Sequence, residues 1–221
     1  MTHAKTKRLS KRKRGKTLRK TPLQRRSKKI KKIFKDVEWA HISEEEEAEF
    51  NKKKIPSTYG YLEPEGMMVM LKGINKSNKV FYDLGSGIGR PAVSACILYP
   101  QLKKIVGIEF SPRRIEMAHE ILKKLPKRCR SKIKYLQGDI LDSKYNYRHA
   151  DIIWISSLCF SAPFLKKLSE KLNKETKKGA FIFTSSALEI PRAKELGTRQ
   201  VKQSWGDQSD IYCYKIDKNK N

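Results

Sequence analysis

The first 35 residues contain no aspartate or glutamate, and 17 lysines and arginines stand among them. A stretch so one-signed cannot neutralise itself, so it seeks a polyanion, either nucleic acid or an acidic membrane surface. Cysteine is sparse as well. Cys96, Cys129, Cys159 and Cys213 are scattered, none forms a C-x-x-C pair, and no histidine stands at zinc-ligand spacing. That pattern points away from a metal site and predicts free thiols in a reducing compartment. No apolar run approaches the ~20 residues of a membrane span, and the N-terminus lacks the apolar core of a signal peptide. The expectation is a soluble, intracellular chain without a membrane partner.

A chain of 221 residues fits one domain plus an extension. The net charge of +27 is unevenly spread, because residues 36–221 hold only 33 Lys/Arg against 23 Asp/Glu. Residues 1–42 therefore read as a basic arm and residues 43–221 as the domain. Residues 1–29 are poor in apolar side chains and broken by Gly15 and Pro22, which predicts disorder in isolation. Within them, Lys11-Arg12-Lys13-Arg14 and Arg25-Arg26-Ser27-Lys28-Lys29 read as nuclear-import or phosphate-binding clusters. Ile30, Ile33, Phe34 and Val37 recur at helical spacing and mark a short amphipathic helix. Ser43 followed by Glu44 to Glu47 is an N-cap with acids in the first turn.

The stretch from Val80 to Arg90 organises the domain. An apolar strand ends at Asp83, runs through Gly85, Ser86, Gly87, Ile88 and Gly89, and opens a helix. Glycines at alternate positions permit positive φ and a close backbone approach, and the following helix offers unpaired N–H groups. Twenty residues beyond Gly89 a second apolar run ends at Glu109, where a doubly wound sheet places an acid beside ribose hydroxyls. A dinucleotide site would read G-x-G-x-x-G, whereas here the run is G-x-G-x-G with Arg90 in the last place. Asp83 ahead of the turn also suits a cationic amino-acid end better than a pyrophosphate. D-x-G-x-G-x-G with an acid downstream resembles the first two motifs of class I S-adenosyl-L-methionine-dependent methyltransferases, which implies that cofactor.

Strands and helices alternate from Val80 onward, with strands at 132–136, 150–155 and 179–185 and helices at 111–125 and 163–172. Two late segments, 198–205 and 210–216, read as an antiparallel hairpin turning at Gly206-Asp207. The predicted fold is α/β: a Rossmann-like sheet, mostly parallel, closed by a C-terminal antiparallel hairpin and preceded by a disordered basic arm. Methionines in the helix opened by Pro64 are expected to fill core space. On such a sheet Asp83, Glu109, Asp139 and Ser156-Ser157 share one edge. Asp139 is positioned for an adenine amine, with the Ile140 N–H near the ring.

Methyltransferases acting on exocyclic base nitrogens carry Asn/Asp-Pro-Pro-Tyr/Phe after the fourth strand. This chain has Ser156-Ser157-Leu158-Cys159, so the clamp for a flipped base is missing. Trp154, Phe160, Trp205, Tyr212 and Tyr214 supply aromatic side chains near the acceptor side instead. An apolar channel ending at a sulfonium disfavours a second cation, lowers an amine's pKa and so suits lysine as acceptor.

Taken together, residues 57 to 217 resemble the disruptor-of-telomeric-silencing family, the non-SET methyltransferases of a lysine on the globular core of histone H3. The resemblance rests on Tyr59-Gly60, Phe81 to Gly89, Gly107 to Glu109, Gly138-Asp139, Ile153 to Phe160, and Trp205 with Tyr212 seven residues later. It implies that Asp83, Gly85, Ser86, Gly87, Gly89 and Glu109 hold the methionine and ribose parts of the cofactor, and Asp139 and Ile140 its adenine. It further implies that Tyr59 belongs to the covering loop, that Trp205 and Tyr212 line the lysine channel, and that Ser156 and Ser157 replace paired catalytic asparagines. Leu158 stands where the family usually has an aromatic, Tyr61 where it has Glu, and Arg90 where it has an uncharged residue. The implied partners are nucleosomal histone H3 and, through the arm, nucleosomal DNA, for a nuclear, monomeric enzyme. A non-histone lysine, RNA, and a non-enzymatic nucleic-acid-binding module stand as alternatives.

Overall fold

Alternation along each strand decides which side chains reach which layer. The computed structural model describes residues 20–37 and 40–219. Strands β1 (Val80–Leu84), β2 (Lys104–Glu109), β3 (Ile133–Gln137), β4 (Ile152–Ile155), β5 (Phe181–Thr184), β6 (Ala193–Gln203) and β7 (Gly206–Ile216) form one sheet. Their order is β3-β2-β1-β4-β5-β7-β6, parallel from β3 through β5, with β7 antiparallel to both β5 and β6. The strand order reverses at β1, between β2 and β4, which is where an open α/β sheet leaves a crevice at its carboxyl edge. The α/β class and the antiparallel closing pair match the sequence expectation.

Among the described residues seven helices flank the sheet: α1 (Pro22–Ile33), α2 (Glu44–Lys53), α3 (Pro64–Met70), α4 (Arg90–Leu98), α5 (Pro112–Lys123), α6 (Lys127–Arg130) and α7 (Ala162–Glu175). Phe81, Ile105, Trp154 and Phe183 face a core shared with α1, α3, α4 and α5, while Leu84, Val106, Ile153 and Ile182 face α7. Two-residue periodicity then puts Asp83 and Glu109 on the α4 face. Met67 and Met70 of α3 are fully buried, as expected of core filling. None of these helices is long and apolar enough to cross a membrane.

Three expectations need correction. The amphipathic helix read from Ile30 starts at Pro22, so residues 22–29 are helical although like charge argued for disorder there, because Thr21 and Gln24 form a capping box and the helix docks. Ile30 and Phe34 enter the core, the Ser27 hydroxyl donates to Glu65 at 2.7 Å, and Arg26 donates to the Leu98 carbonyl at the end of α4. Residues 1–19, with the cluster Lys11 to Arg14, lie outside the described residues. The hairpin turns at Ser204-Trp205, not Gly206-Asp207, since β6 begins at Ala193 and both strands run 11 residues. Cys96 and Cys129 are not free thiols: packing of α6 beneath α4 brings their Cα atoms to 5.9 Å and they are bonded, leaving Cys159 and Cys213 free.

The cap at Ser43 forms as read, with reciprocal bonds to Glu46. Glu46 also accepts from the Ser111 hydroxyl at 2.9 Å and the Arg113 N–H at 3.0 Å, which fixes α2 against the start of α5. Gly66 lies where α3 crosses β6, and a Cβ there would strike the Lys202 carbonyl. Helix propensity alone favours alanine at Gly66 by about 1 kcal/mol. Gly66→Ala is nonetheless expected to destabilise by about 1–3 kcal/mol, because backbone cannot yield as a side chain can. A urea midpoint at or above wild type would contradict that close packing.

Candidate active site

The glycine turn joins β1 to α4 with Gly85, Gly87 and Gly89 at φ of 78°, 53° and 82°. A Cβ at Gly87 would fall on the Tyr59 ring, and one at Gly89 on Tyr135. At Gly85 no atom lies within 4 Å of that position, so its backbone faces open space. This space is a cleft at the carboxyl edge of β1, β2 and β3. Gly85, Glu109, Asp139 and Ile140 line it, with Gly60 and with Tyr59, whose ring lies over Gly87 and makes this the covering loop.

Glu109 is buried and holds the local backbone together. Its Oε2 accepts from the Gly87 N–H at 2.8 Å and its Oε1 from the Ser111 N–H at 3.0 Å. Arg114, also buried, stands 3.9 Å from Glu109 and donates to the carbonyls of Ala40 and Ser57. The guanidinium thereby ties the N-terminal segment and the covering loop to the carboxylate that edges the cleft. Asp139 spends one oxygen on the Leu141 N–H at 2.8 Å, an Asx turn that fixes the carboxylate at the rim.

Asp83 sits beneath the turn, not in the cleft. Its position on the α4 face makes Oδ2 accept from the Ala92 N–H at 3.1 Å, while Oδ1 has no partner. Burial pushes this carboxyl up to about 8, the bond from Ala92 opposing and the Glu109 charge reinforcing the rise. The Ser86 hydroxyl is likewise buried without a partner under the turn, beside Gly107. Tyr59 is half-buried over Gly87 with Arg114 5.2 Å from its ring, and burial holds its phenol above the usual range.

A second cleft, of about 730 Å³ and lined mostly by apolar surface, opens beside the first. Pro56, Thr58, Tyr59, Gly60, Ser156 and Phe160 border both, so the two meet along that seam. Leu158, Cys159, Ser204 and Trp205 complete the second cleft, and no charged side chain lines it. Leu158 and Trp205 are 56% and 41% exposed, which leaves an apolar mouth open to solvent.

The two serines after β4 separate. Ser156 stands at the seam, whereas the Ser157 hydroxyl pairs with Thr184 at 2.5 Å and accepts from the Ser186 N–H at 2.9 Å. Ser157 thus ties two loops from inside the fold. Ser157→Ala is expected to cost about 1 kcal/mol, because it leaves the Ser186 N–H only its longer bond to the Thr184 hydroxyl at 3.4 Å, and Ser156→Ala close to nothing. Equal melting temperatures for the two variants would contradict the assignment. Tyr212 lies opposite Thr184 on β7, packs against the α7-side core, and borders neither cleft. Arg114, Ile55, Pro56 and the Phe50–Phe110 edge-to-face pair at the first cleft carry no sequence motif that would have singled them out.

Strand order, glycine turn and carboxyl-edge clefts define a Rossmann-like methyltransferase fold. A glycopeptide N-methyltransferase crystallised with S-adenosyl-L-methionine superposes with a TM-score of 0.54 at 9% identity, over 70% of this chain and 94% of that one. A putative RNA methyltransferase from Pyrococcus horikoshii gives 0.53 at 15% identity, over 89% and 98%. At such identities the likeness is one of fold.

The family follows from the sequence match. A model described as "Histone methylation protein DOT1" matches residues 40–220, and the chain belongs to that family. It is also 30% identical over 145 residues to a protein of Kluyveromyces lactis named "Histone-lysine N-methyltransferase, H3 lysine-79 specific". That match covers 60% of this chain and 25% of the relative, so the chain spans about a quarter of its length.

Proposed function

We propose that this chain is an S-adenosylmethionine-dependent protein-lysine N-methyltransferase acting on the globular-core lysine of histone H3 in nucleosomes. The observation that carries the reading is the seam: a cleft edged by Glu109 and Asp139 meets an uncharged apolar one at Ser156 and the Tyr59-Gly60 loop. The first cleft fits the cofactor in its chemistry: Gly85 leaves backbone bare, and carboxylates stand at two separate places. When bound, S-adenosylmethionine supplies an electrophilic methyl group.

Glu109 would hold the ribose hydroxyls and Asp139 with Ile140 the adenine, while Tyr59 and Gly60 cover them. A lysine entering past Leu158 and Trp205 leaves water for a lining without charge, which disfavours its ammonium form and lowers its pKa. The proton is lost to solvent at the exposed mouth. The Ser156 hydroxyl can then accept from an amine N–H and turn the nitrogen lone pair toward the first cleft. Ser156→Ala should therefore lower turnover by about tenfold, within the usual range for a positioning hydrogen bond.

The arm reading gains support from α1, whose solvent face carries exposed Arg25, Lys28, Lys29 and Lys32 at helical spacing. These would meet DNA phosphates, and a nuclear, monomeric protein is the matching expectation. Four such contacts predict a slope of about −3 to −4 in log affinity against log salt, which Ala substitution of the four should remove. An unchanged slope would assign DNA binding elsewhere. The deciding assay is labelled methyl transfer to nucleosomes, free histones and naked nucleic acid. Label on nucleosomal H3 supports the proposal, and label on nucleic acid alone overturns it.

A further inference from the structure

Arg90 is the first residue of α4, immediately after the glycine turn. A cation is poorly placed at a helix N-terminus, where the backbone dipole is already positive. Among the described residues no carboxylate lies within ion-pair distance of it. Its partners are two rings: Phe34, just past α1, at 4.5 Å from the guanidinium carbon, and Tyr61 at 4.4 Å. Its Nε is buried with no hydrogen-bond partner, so the two rings hold it, together with the Tyr59 hydroxyl, which lies against the guanidinium charge.

The contact continues beyond Tyr61. The Tyr61 N–H donates to the Ser204 hydroxyl at 3.1 Å, and the Ser204 N–H donates to the Tyr61 carbonyl at 2.9 Å. Gly60 lies so close beneath the Trp205 ring that a Cβ there would overlap it. Loop and hairpin tip are therefore one unit, and Arg90 is its link to the glycine turn.

We propose that Arg90 is a positioning residue: stacked between Phe34 and Tyr61, it sets the Tyr59–Tyr61 loop and, through Ser204, the Trp205 wall of the second cleft. That this wall receives a lysine rests on the function proposed above, but the link itself does not. Lysine cannot substitute, because the planar guanidinium presents two faces and an ammonium presents none.

The test uses the full chain with Arg90→Gln, Arg90→Lys, Tyr61→Leu and the double variant Arg90→Gln/Tyr61→Leu. Hydrogen exchange is read without ligand at the amides of residues 57–62 and 202–206. Both Arg90 variants should speed exchange there by about tenfold, and the double variant should add little to Tyr61→Leu. Unchanged exchange, wild-type protection in Arg90→Lys, or additive effects would each overturn the link. With nucleosomes and methyl donor, Arg90→Gln should raise KM for the nucleosome about five- to tenfold and weaken cofactor binding less, about two- to threefold, because Tyr59 and Gly60 of the same loop border the first cleft. Equal losses in both would show a merely structural residue and overturn the proposal. Absence of any methyl transfer by wild type would remove the methyltransferase reading, and the exchange result would still decide the link.

Discussion

Glu109→Ala is expected to weaken S-adenosylmethionine binding at least about 100-fold, read by calorimetry or by equilibrium dialysis of labelled cofactor. Hydrogen bonds to a charged acceptor are worth roughly 1.5–3 kcal/mol each, and two ribose hydroxyls would be lost together. The structure adds a cost that sequence motifs do not suggest. The same carboxylate accepts from Gly87 and Ser111, so alanine leaves two buried N–H groups unpaired at about 1–3 kcal/mol apiece. Melting should fall along with affinity. Glu109→Gln separates the two effects, since the amide keeps one acceptor and most of the shape. It should retain the fold and still bind cofactor about tenfold more weakly. Wild-type affinity in a folded Glu109→Gln protein would remove the ribose assignment.

Asp83 gives the second large effect, in the ligand-free protein. Burial, more than the neighbouring Glu109 charge, raises its carboxyl from 3.8 to about 8. Between those values the folded chain keeps a proton that the unfolded chain has released. Stability must therefore fall as pH rises through this window and level off above it. From pH 6 to 8 this one group should cost about 2 kcal/mol, following about 1.4 kcal/mol per unit. Urea midpoints at the two pH values measure it. Asp83→Asn, which keeps an acceptor for the Ala92 N–H, should flatten the difference. A slope identical in variant and wild type would show that the carboxyl ionises normally.

Much of the first cleft was legible because its constraints are local. Three alternate glycines state a backbone requirement, and the structure meets it with positive φ at each. The acids that end β1 and β2 were placed correctly along the strands, yet their faces follow from parity against α4. Parity put both on that face; Asp83 falls under the turn because its own strand feeds it, and Glu109, on the neighbouring strand, falls at its edge. Ser156 and Ser157 are adjacent and chemically identical, but only one borders the clefts, because the chain leaves β4 and doubles back toward Thr184. Tyr212 carried a spacing that the resemblance made meaningful, and the register of β7 on β5 set it against the core instead.

The basic helix shows the same division from the other side. Charge density argued against order in residues 22–29, and local rules cannot count the partners that outweigh it: Glu65 for Ser27 and Lys31, the Leu98 carbonyl for Arg26, Arg90 for Phe34. By itself the sequence determined the alternating α/β class, the glycine turn, the capped helix starts and the surplus of positive charge, all of which depend on neighbours a few residues apart. Only the tertiary structure decided the Cys96–Cys129 bond, the meeting of the two clefts, the place of Arg114 and the stacking of Arg90. Each of those joins residues brought together by strand order and crossover packing, and a one-dimensional pattern holds no distance between them.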